Sequence, residues 1–233
     1  ISHDHYDHLD SATIHALAHK IPRFFVPLGV GSHLEYWGVD PANVTELDWW
    51  DTQTINGVAI HATPARHFSG RGLHDRDATL WASWSLIGPK HRAFFSGDTA
   101  MFPGFKQIGD RLGPFDVTMI ESGAYNRRWV DVHLGPEQAV QAHIDLQGRL
   151  LMPVHWGTFD LALHGWTEPA ERLLAAATDL GVTVAVPKPG GSVEPGNPPP
   201  AVAWWPDIPW TPVAQDPVFS TGLPPRPSTD PPR

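Results

Sequence analysis

The chain of 233 residues contains no cysteine, which excludes a disulfide framework and thiolate metal ligands. It also lacks any apolar run of about 20 residues, the length that a membrane-spanning helix requires. Only 18% of the residues are charged, below the roughly 25% that is typical of soluble domains. The net charge of −9 disfavours a nucleic-acid partner held through its phosphates.

Proline is concentrated at the C-terminal end, where 15 of the 25 prolines lie at or after Pro187. Because proline lacks a backbone donor and interrupts helices, this pattern predicts one domain over residues 1–190 and a Pro-rich tail over 191–233. Within the tail, the apolar cluster at 201–210 is expected to dock on the domain. Residues 211–233 are expected to be disordered.

Apolar runs and helix-capping residues alternate along the domain and predict an α/β layered fold. Predicted helices cover residues 11–20, 102–113, 136–147 and 168–181, with a helical turn at 31–38. Predicted strands cover residues 23–28, 44–50, 54–64, 79–88, 91–97, 115–122, 149–155 and 182–187. An Asn-Gly pair inside 54–64 is typical of a tight hairpin turn.

The first ten residues, ISHDHYDHLD, place His3, His5, Asp7 and His8 in the pattern H-x-H-x-D-H. Imidazoles suit zinc, iron and nickel, whereas a carboxylate suits harder ions and can help to bind a second metal. A His-rich tag is the alternative interpretation. It is disfavoured because a tag would carry neither the interleaved Asp7 nor a matching set of ligands downstream.

Three further ligand candidates each follow an apolar strand-like run. His67 lies in TPARHFSG, Asp98 in FFSGDT and His155 in LLMPVHWGTF. Open α/β sheets build their sites at the carboxyl ends of strands, so these positions are favourable ones for a site. The order HxHxDH, His, Asp, His therefore indicates a metal centre.

On these motifs the chain resembles the metallo-β-lactamase-fold hydrolases, and within them the branch of N-acyl-phosphatidylethanolamine phospholipase D and its bacterial relatives. The matching stretches are SHDHYDHLD (2–10), PARHFSGRG (64–72), SGDTA (96–100), ESGAYNRRW (121–129), HLGPEQAV (133–140) and MPVHWGTFDLALH (152–164). Glu121 departs from this branch, which more often has an apolar residue there. The resemblance implies an α/β fold, a metallo-β-lactamase-type αββα sandwich.

Members of this family have several strands before the HxHxDH motif. The resemblance therefore predicts a fragment that lacks much of the N-terminal half-sheet, with Ile1 as the last residue of the strand that leads into the metal loop. One face of the remaining sheet would be exposed unless a partner covered it.

The resemblance also implies the roles of the ligands. Two Zn²⁺ ions are expected, for which iron or manganese could substitute. The ligands of the first ion would be His3, His5 and His67. Those of the second would be Asp7, His8 and His155. Asp98 would bridge the two ions, with a water or hydroxide as the other bridge, and Asp7 would also orient that nucleophile.

Other residues are expected to border the site. His133 is predicted to contact the ligands or the substrate, and it joins Asp7 and Asp98 as a catalytic candidate. The substrate-side candidates are Tyr125, Arg127 and His164, although a packing Tyr and a surface Arg are equally plausible. Hydrogen bonds to the ligands are expected from Ser2, Ser96 and Thr99. His15 and His19, four residues apart, could form a metal pair but fit a helix surface better.

Four functions remain open at this point. The favoured one is a phosphodiesterase that attacks N-acyl-phosphatidylethanolamine or a related phospholipid through a metal-bridging hydroxide, and the 11 tryptophans suit peripheral contact with a membrane. The second is a lactonase or a carboxylic ester or amide hydrolase with the same bimetal site. A nuclease is disfavoured by the acidic charge, and an inactive fragment is the fourth. The expected localisation is cytoplasmic or peripheral to a membrane.

Overall fold

The computed structural model describes residues 1–221, which contain five α-helices and eight β-strands. The helices are α1 (Ser11–Leu17), α2 (Gly31–Tyr36), α3 (Gly104–Leu112), α4 (Pro136–Asp145) and α5 (Glu168–Leu180). The strands are β1 (Phe24–Pro27), β2 (Val44–Leu47), β3 (Thr52–Ile55), β4 (Val58–Thr63), β5 (Ser83–Ile87), β6 (Arg92–Phe95), β7 (Phe115–Glu121) and β8 (Gly148–Val154). No helix in this part of the chain is long and apolar enough to cross a membrane.

Six strands form one mixed sheet in the order β3-β4-β5-β6-β7-β8, and β1 pairs with β2 in a separate parallel sheet. The pairs β3–β4, β4–β5 and β5–β6 are antiparallel, whereas the pairs β6–β7 and β7–β8 are parallel. The β3–β4 hairpin turns at Asn56 and Gly57, both with positive φ, as a tight two-residue turn requires. The predicted α/β fold is confirmed.

The two faces of the six-stranded sheet differ in burial. Helices α3, α4 and α5 cover the first face, where Phe94, Ile120 and Leu151 are completely buried in the main core. The second face is only partly buried. Its apolar side chains line an open groove together with residues of the β1 region, and they include Ile60, Leu86, Phe95 and Met119.

The predicted strand over 182–187 is reduced to a single parallel bridge between Val184 and Leu151. The Leu151 N–H donates to the Thr183 carbonyl, and the Ala185 N–H donates to the Leu151 carbonyl, both at 2.9 Å. The next position of β8 that could extend this ladder is Pro153, which has no N–H to donate. The pairing therefore ends after one bridge.

The C-terminal segment packs along the outer face of α5. Trp205 is buried in the main core, and its indole Nε1 donates a hydrogen bond to Glu171 at 2.8 Å. Its neighbour Trp204 packs against Trp156, with ring centroids 5.6 Å apart. Residues 201–210 thus contact the domain in the way that their apolar composition predicts.

The prediction of disorder from residue 211 does not hold for 211–221. The Thr211 N–H donates to Glu168 at 3.1 Å, and the Ser220 hydroxyl donates to the Met101 carbonyl at 2.8 Å. Polar groups of this segment find fixed partners on the domain, which composition alone does not reveal. The rest of the predicted disordered segment, residues 222–233, lies outside the described residues.

Replacing Trp205 with Ala should destabilise the protein by about 3 kcal/mol, because it removes a large buried side chain from the core. Trp205 is 6% exposed, whereas the nearby Val202 is 68% exposed and serves as the control through Val202→Ala. Urea unfolding of both variants and the wild type measures the effect. Equal free energies of unfolding for the two variants would mean that the tail does not contribute to the core.

Candidate metal centre

The predicted ligands gather at one edge of the six-stranded sheet. Strands β4, β6 and β8 point in the same direction, because β4 and β6 are both antiparallel to β5 and the strands from β6 to β8 are parallel. His67, Asp98 and His155 follow these three strands. The loop of residues 2–10, which precedes α1, lies against the same edge. The strand-end positions of the ligands therefore converge as the sequence predicts.

Gly97 allows the Asp98 loop to approach the HxHxDH loop closely. Its φ is +57°, and a Cβ atom added there would lie 2.7 Å from the Cβ of Ser2 and 3.1 Å from the Ala82 carbonyl oxygen. Any side chain at this position would push the two loops apart. The Ala82 N–H also donates to the Ser2 carbonyl at 2.9 Å, which fixes the start of the chain against the sheet.

The first group of ligand atoms comes from three histidines and one oxygen of Asp98. His5 Nδ1 lies 3.0 Å from His3 Nε2 and 3.2 Å from His67 Nε2. Asp98 Oδ2 lies 3.8 Å from the same atoms of His3 and His67. Four ligands about 2.0–2.1 Å from a tetrahedral zinc ion would lie about 3.3–3.4 Å apart. The observed spacing therefore suits a small divalent ion.

The second group has the same spacing and uses the other oxygen of Asp98. His8 Nε2 lies 3.5 Å from Asp7 Oδ2 and 3.1 Å from Asp98 Oδ1. His155 Nε2 lies 3.4 Å from each of these two oxygens. His8 Nε2 and Asp98 Oδ1 are buried and make no hydrogen bond within the described residues, despite their separation of 3.1 Å. Buried atoms without a hydrogen bond fit metal ligation, because an ion would satisfy both.

Hydrogen bonds behind the histidines orient them. His67 Nδ1 lies 3.0 Å from the Val132 carbonyl oxygen, which can only accept, so His67 directs its Nε2 lone pair at the site. The Ser2 hydroxyl lies 3.1 Å from His3 Nδ1. Burial lowers the pKa of His67 to about 3 and also depresses the pKa of His3. Both rings are therefore neutral at pH 7 and able to ligate a metal.

The carboxylates of the site stabilise positive charge beside them. Burial lowers the pKa of His8, but the adjacent carboxylates of Asp7 and Asp98 outweigh this and raise the pKa to about 10. Burial opposes ionisation of Asp98, yet the adjacent His8 and the neighbouring histidines hold its pKa well below the usual range. A divalent cation would supply this positive charge and displace the proton of His8.

A second layer of side chains supports the ligands. His133 Nδ1 donates to Glu121 Oε2 at 2.8 Å, and the Thr99 N–H donates to Glu121 Oε1. The Ser96 hydroxyl accepts from the Glu121 N–H at 3.0 Å, and the Thr99 hydroxyl accepts from the Arg66 N–H at 2.9 Å. No sequence pattern predicted a role for Glu121. The available signal was an acidic residue directly after the apolar pair Met119-Ile120 at the end of a strand.

An open cavity of about 500 Å³ lies beside Asp7 and His155. Apolar side chains line much of it, namely Ala124, Trp156, Phe159, Leu161, Ala162 and Trp166. Of the three substrate-side candidates, only His164 reaches this cavity. Tyr125 and Arg127 line an adjoining cleft instead.

Tyr125 and Arg127 are engaged with other parts of the protein. The buried Tyr125 donates its hydroxyl proton to Glu168 at 2.7 Å and stacks on His164 with ring centroids 4.2 Å apart. Arg127 pairs with Asp216 of the C-terminal segment. His15 and His19 are exposed, and neither belongs to a group of potential ligands among residues 1–221.

Comparisons with known proteins identify the family. The family described as Beta-lactamase superfamily domain matches residues 1–156. An uncharacterized protein of Mycobacterium tuberculosis is 53% identical over 210 residues, which cover 88% of this chain and 56% of that protein. The N-acyl-phosphatidylethanolamine-hydrolyzing phospholipase D 1 of Caenorhabditis elegans is 38% identical over 74% of this chain and 52% of that protein. The chain thus spans about half the length of these curated relatives.

Among solved structures, the chain is similar to Igni18, a metallo hydrolase from the archaeon Ignicoccus hospitalis. The TM-score is 0.65 at 22% sequence identity, and the match covers 83% of this chain and 76% of that one. This similarity supports the fold.

Replacing Asp98 with Asn should lower the content of tightly bound divalent metal by about half or more, because an amide is a poor bridge between two cations. The control is Asp110→Asn, which changes an exposed carboxylate paired with Lys106. Elemental analysis after desalting measures the metal per folded chain. Equal metal in wild type and Asp98→Asn would contradict the assignment of Asp98.

Proposed function

The chain belongs to the beta-lactamase superfamily, on the branch of the N-acyl-phosphatidylethanolamine-hydrolyzing phospholipases D, and on that premise we propose that it uses two divalent ions to hydrolyse a phosphodiester bond. The proposed substrate is N-acyl-phosphatidylethanolamine or a related phospholipid. Zinc is the first candidate for the ions, because imidazoles dominate the ligand set.

The position of Asp98 carries this proposal. Its two carboxylate oxygens face different groups of ligand atoms, with His3 and His67 on one side and His8 and His155 on the other. One residue that serves two adjacent groups favours a pair of ions over a single ion. Bound divalent ions would lower the pKa of a water molecule and neutralise charge on the phosphoryl oxygens.

Asp7 and His133 have different roles in this proposal. Asp7 belongs to the second ligand group and also lines the cavity. Its carboxylate is therefore placed to accept a hydrogen bond from an attacking water. His133 lies between two ligands, with ring centroids 5.3 Å from His67 and 5.4 Å from His155. Its imidazole is therefore close enough to the centre to contact a group of the substrate.

The cavity lining favours an amphiphilic substrate. Three of the apolar side chains that line the cavity come from the loop after His155 and are exposed, with Phe159 at 64% and Leu161 at 48%, together with Trp166. Exposed apolar side chains concentrated beside a site mark a binding surface for apolar groups. Tryptophan in particular suits the boundary between lipid and water. Acyl chains would contact this loop while the head group lies at the metal centre.

A neutral ester, lactone or amide is the second candidate. None of the described residues that line the cavity is Lys or Arg. A site for an anionic head group commonly includes such a cation, so its absence from this lining favours an uncharged substrate. The same pair of ions would activate either type of bond.

The zinc-loaded protein should hydrolyse a phosphodiester faster than a lactone, a carboxylic ester or an amide of matched acyl length. Mixed micelles that contain each substrate keep the physical state constant, and product release is followed by mass spectrometry. His155→Ala should lower turnover by about two orders of magnitude or more, since it removes a ligand atom. Turnover of the lactone or ester without the phosphodiester would select the second candidate.

Replacing Phe159 and Leu161 with Ser should raise the KM for a long-chain substrate by about tenfold per side chain, through lost apolar burial. The kcat and the KM for a short-chain soluble phosphodiester should change little. Tyr36→Ser provides a matched control, because Tyr36 is 88% exposed on α2 and not part of the cavity. An equal effect on both substrates would show that the loop does not bind acyl chains.

A further inference from the structure

Glu121 is a completely buried acidic residue at the carboxyl end of β7, with 0% of its surface exposed. It belongs to neither four-atom group described above, but it forms a third group with Asp98, His133 and His155, whose potential ligand atoms lie within 4.8 Å of one another. Burying a carboxylate costs free energy unless it is hydrogen-bonded or paired, and an apolar residue would fill the position at lower cost. The contacts of the carboxylate therefore indicate its role.

The two oxygens of Glu121 contact different parts of the site. Oε1 accepts from the backbone N–H of Thr99, the residue that follows the bridging Asp98. Oε2 accepts from His133 Nδ1 at 2.8 Å and lies 3.6 Å from Nδ1 of the ligand His155. One carboxylate thus lies behind the Asp98 loop and two histidines.

The two histidines present the same ring atom to Glu121. The Nε2 atom of His155 lies 3.4 Å from oxygens of Asp7 and Asp98, and its Nδ1 faces Glu121 without a hydrogen bond among the described residues. The rings of His133 and His155 are nearly parallel, with an interplanar angle of 19°. A carboxylate behind a histidine fixes the tautomer and the ring orientation.

We infer, on the premise of the proposed hydrolase function, that Glu121 is a positioning residue that acts through His133 and His155. Its carboxylate holds the proton on Nδ1 of His133 and so leaves Nε2 of that ring available to the substrate. Its charge, 3.6 Å from Nδ1 of His155, also favours a proton on that atom, which leaves Nε2 free toward Asp7 and Asp98. The Thr99 contact ties both histidines to the loop of Asp98.

The position of the His133 proton tests this inference without any substrate. In protein labelled with ¹⁵N-histidine, two-bond ¹H–¹⁵N correlations should show that His133 carries a proton on Nδ1, in the metal-free and the zinc-loaded forms. Glu121→Gln should weaken that preference and shift the proton toward Nε2, because Gln has one acceptor oxygen for the two donors: when that oxygen accepts from the Thr99 N–H, the NH2 group facing Nδ1 can only donate. A wild-type His133 protonated on Nε2 alone would overturn the inference, even if no variant folds.

Thr118→Val provides a matched control on the same strand. The Thr118 hydroxyl lies 2.7 Å from Nδ1 of His143, a buried histidine outside the metal centre. This variant should change the signals of His143 and leave those of His133 unchanged. If Thr118→Val shifts His133 as much as Glu121→Gln does, the effect is a general disturbance of β7 and the inference fails.

Metal affinity and kinetics provide the second test. Glu121→Gln should weaken zinc binding or lower kcat by about 10–100-fold, the usual effect of losing a carboxylate behind a ligand. The loss in kcat should shrink in a His133→Ala background, because both variants remove the same contact. Fully additive effects, with zinc affinity unchanged, would overturn the inference. Absence of phosphodiester turnover in the wild type would instead contradict the proposed function and leave the proton measurement decisive.

Discussion

The buried carboxylate of Asp98 is the group on which the site depends. It faces one set of ligand atoms with each oxygen, so the two sets can form only if three loops and the start of the chain meet around it. The sheet brings the loops to one edge, and Gly97 removes the side chain that would keep the Asp98 loop away from Ser2. Strand direction and the absence of one Cβ therefore determine whether the centre can assemble.

Charge explains why the centre would bind cations. Asp7 and Asp98 lie within 3.5 Å of histidine nitrogens, and they raise the pKa of His8 to about 10 against the effect of burial. Divalent ions would balance these carboxylates better than a shared proton. Burial holds His3 and His67 neutral, and a hydrogen bond to the Val132 carbonyl orients His67 from behind. Ligation and second-layer contacts are thus parts of one arrangement.

The proposed substrate depends on a different region from the proposed metals. The ligands lie on loops at the sheet edge, whereas the apolar side chains that line the cavity come, apart from Ala124, from the loop after His155. This division is common in α/β folds, where the centre supplies the chemistry and a neighbouring loop selects the substrate. Relatives that share the ligands can therefore differ in the bonds that they cleave.

The sequence by itself determined the α/β fold, the helices, the hairpin at Asn56 and the metal ligand candidates, because strand periodicity, turn residues and ligand spacing are local signals. Only the tertiary structure decided the contacts of Glu121, the engagement of Tyr125 and Arg127 outside the cavity, and the packing of residues 211–221. Each of these depends on partners far away in the chain, such as Glu168 for Tyr125 and Asp216 for Arg127. The strand expected at 182–187 likewise ended at one bridge because Pro153, on another strand, lacks the N–H that would extend it.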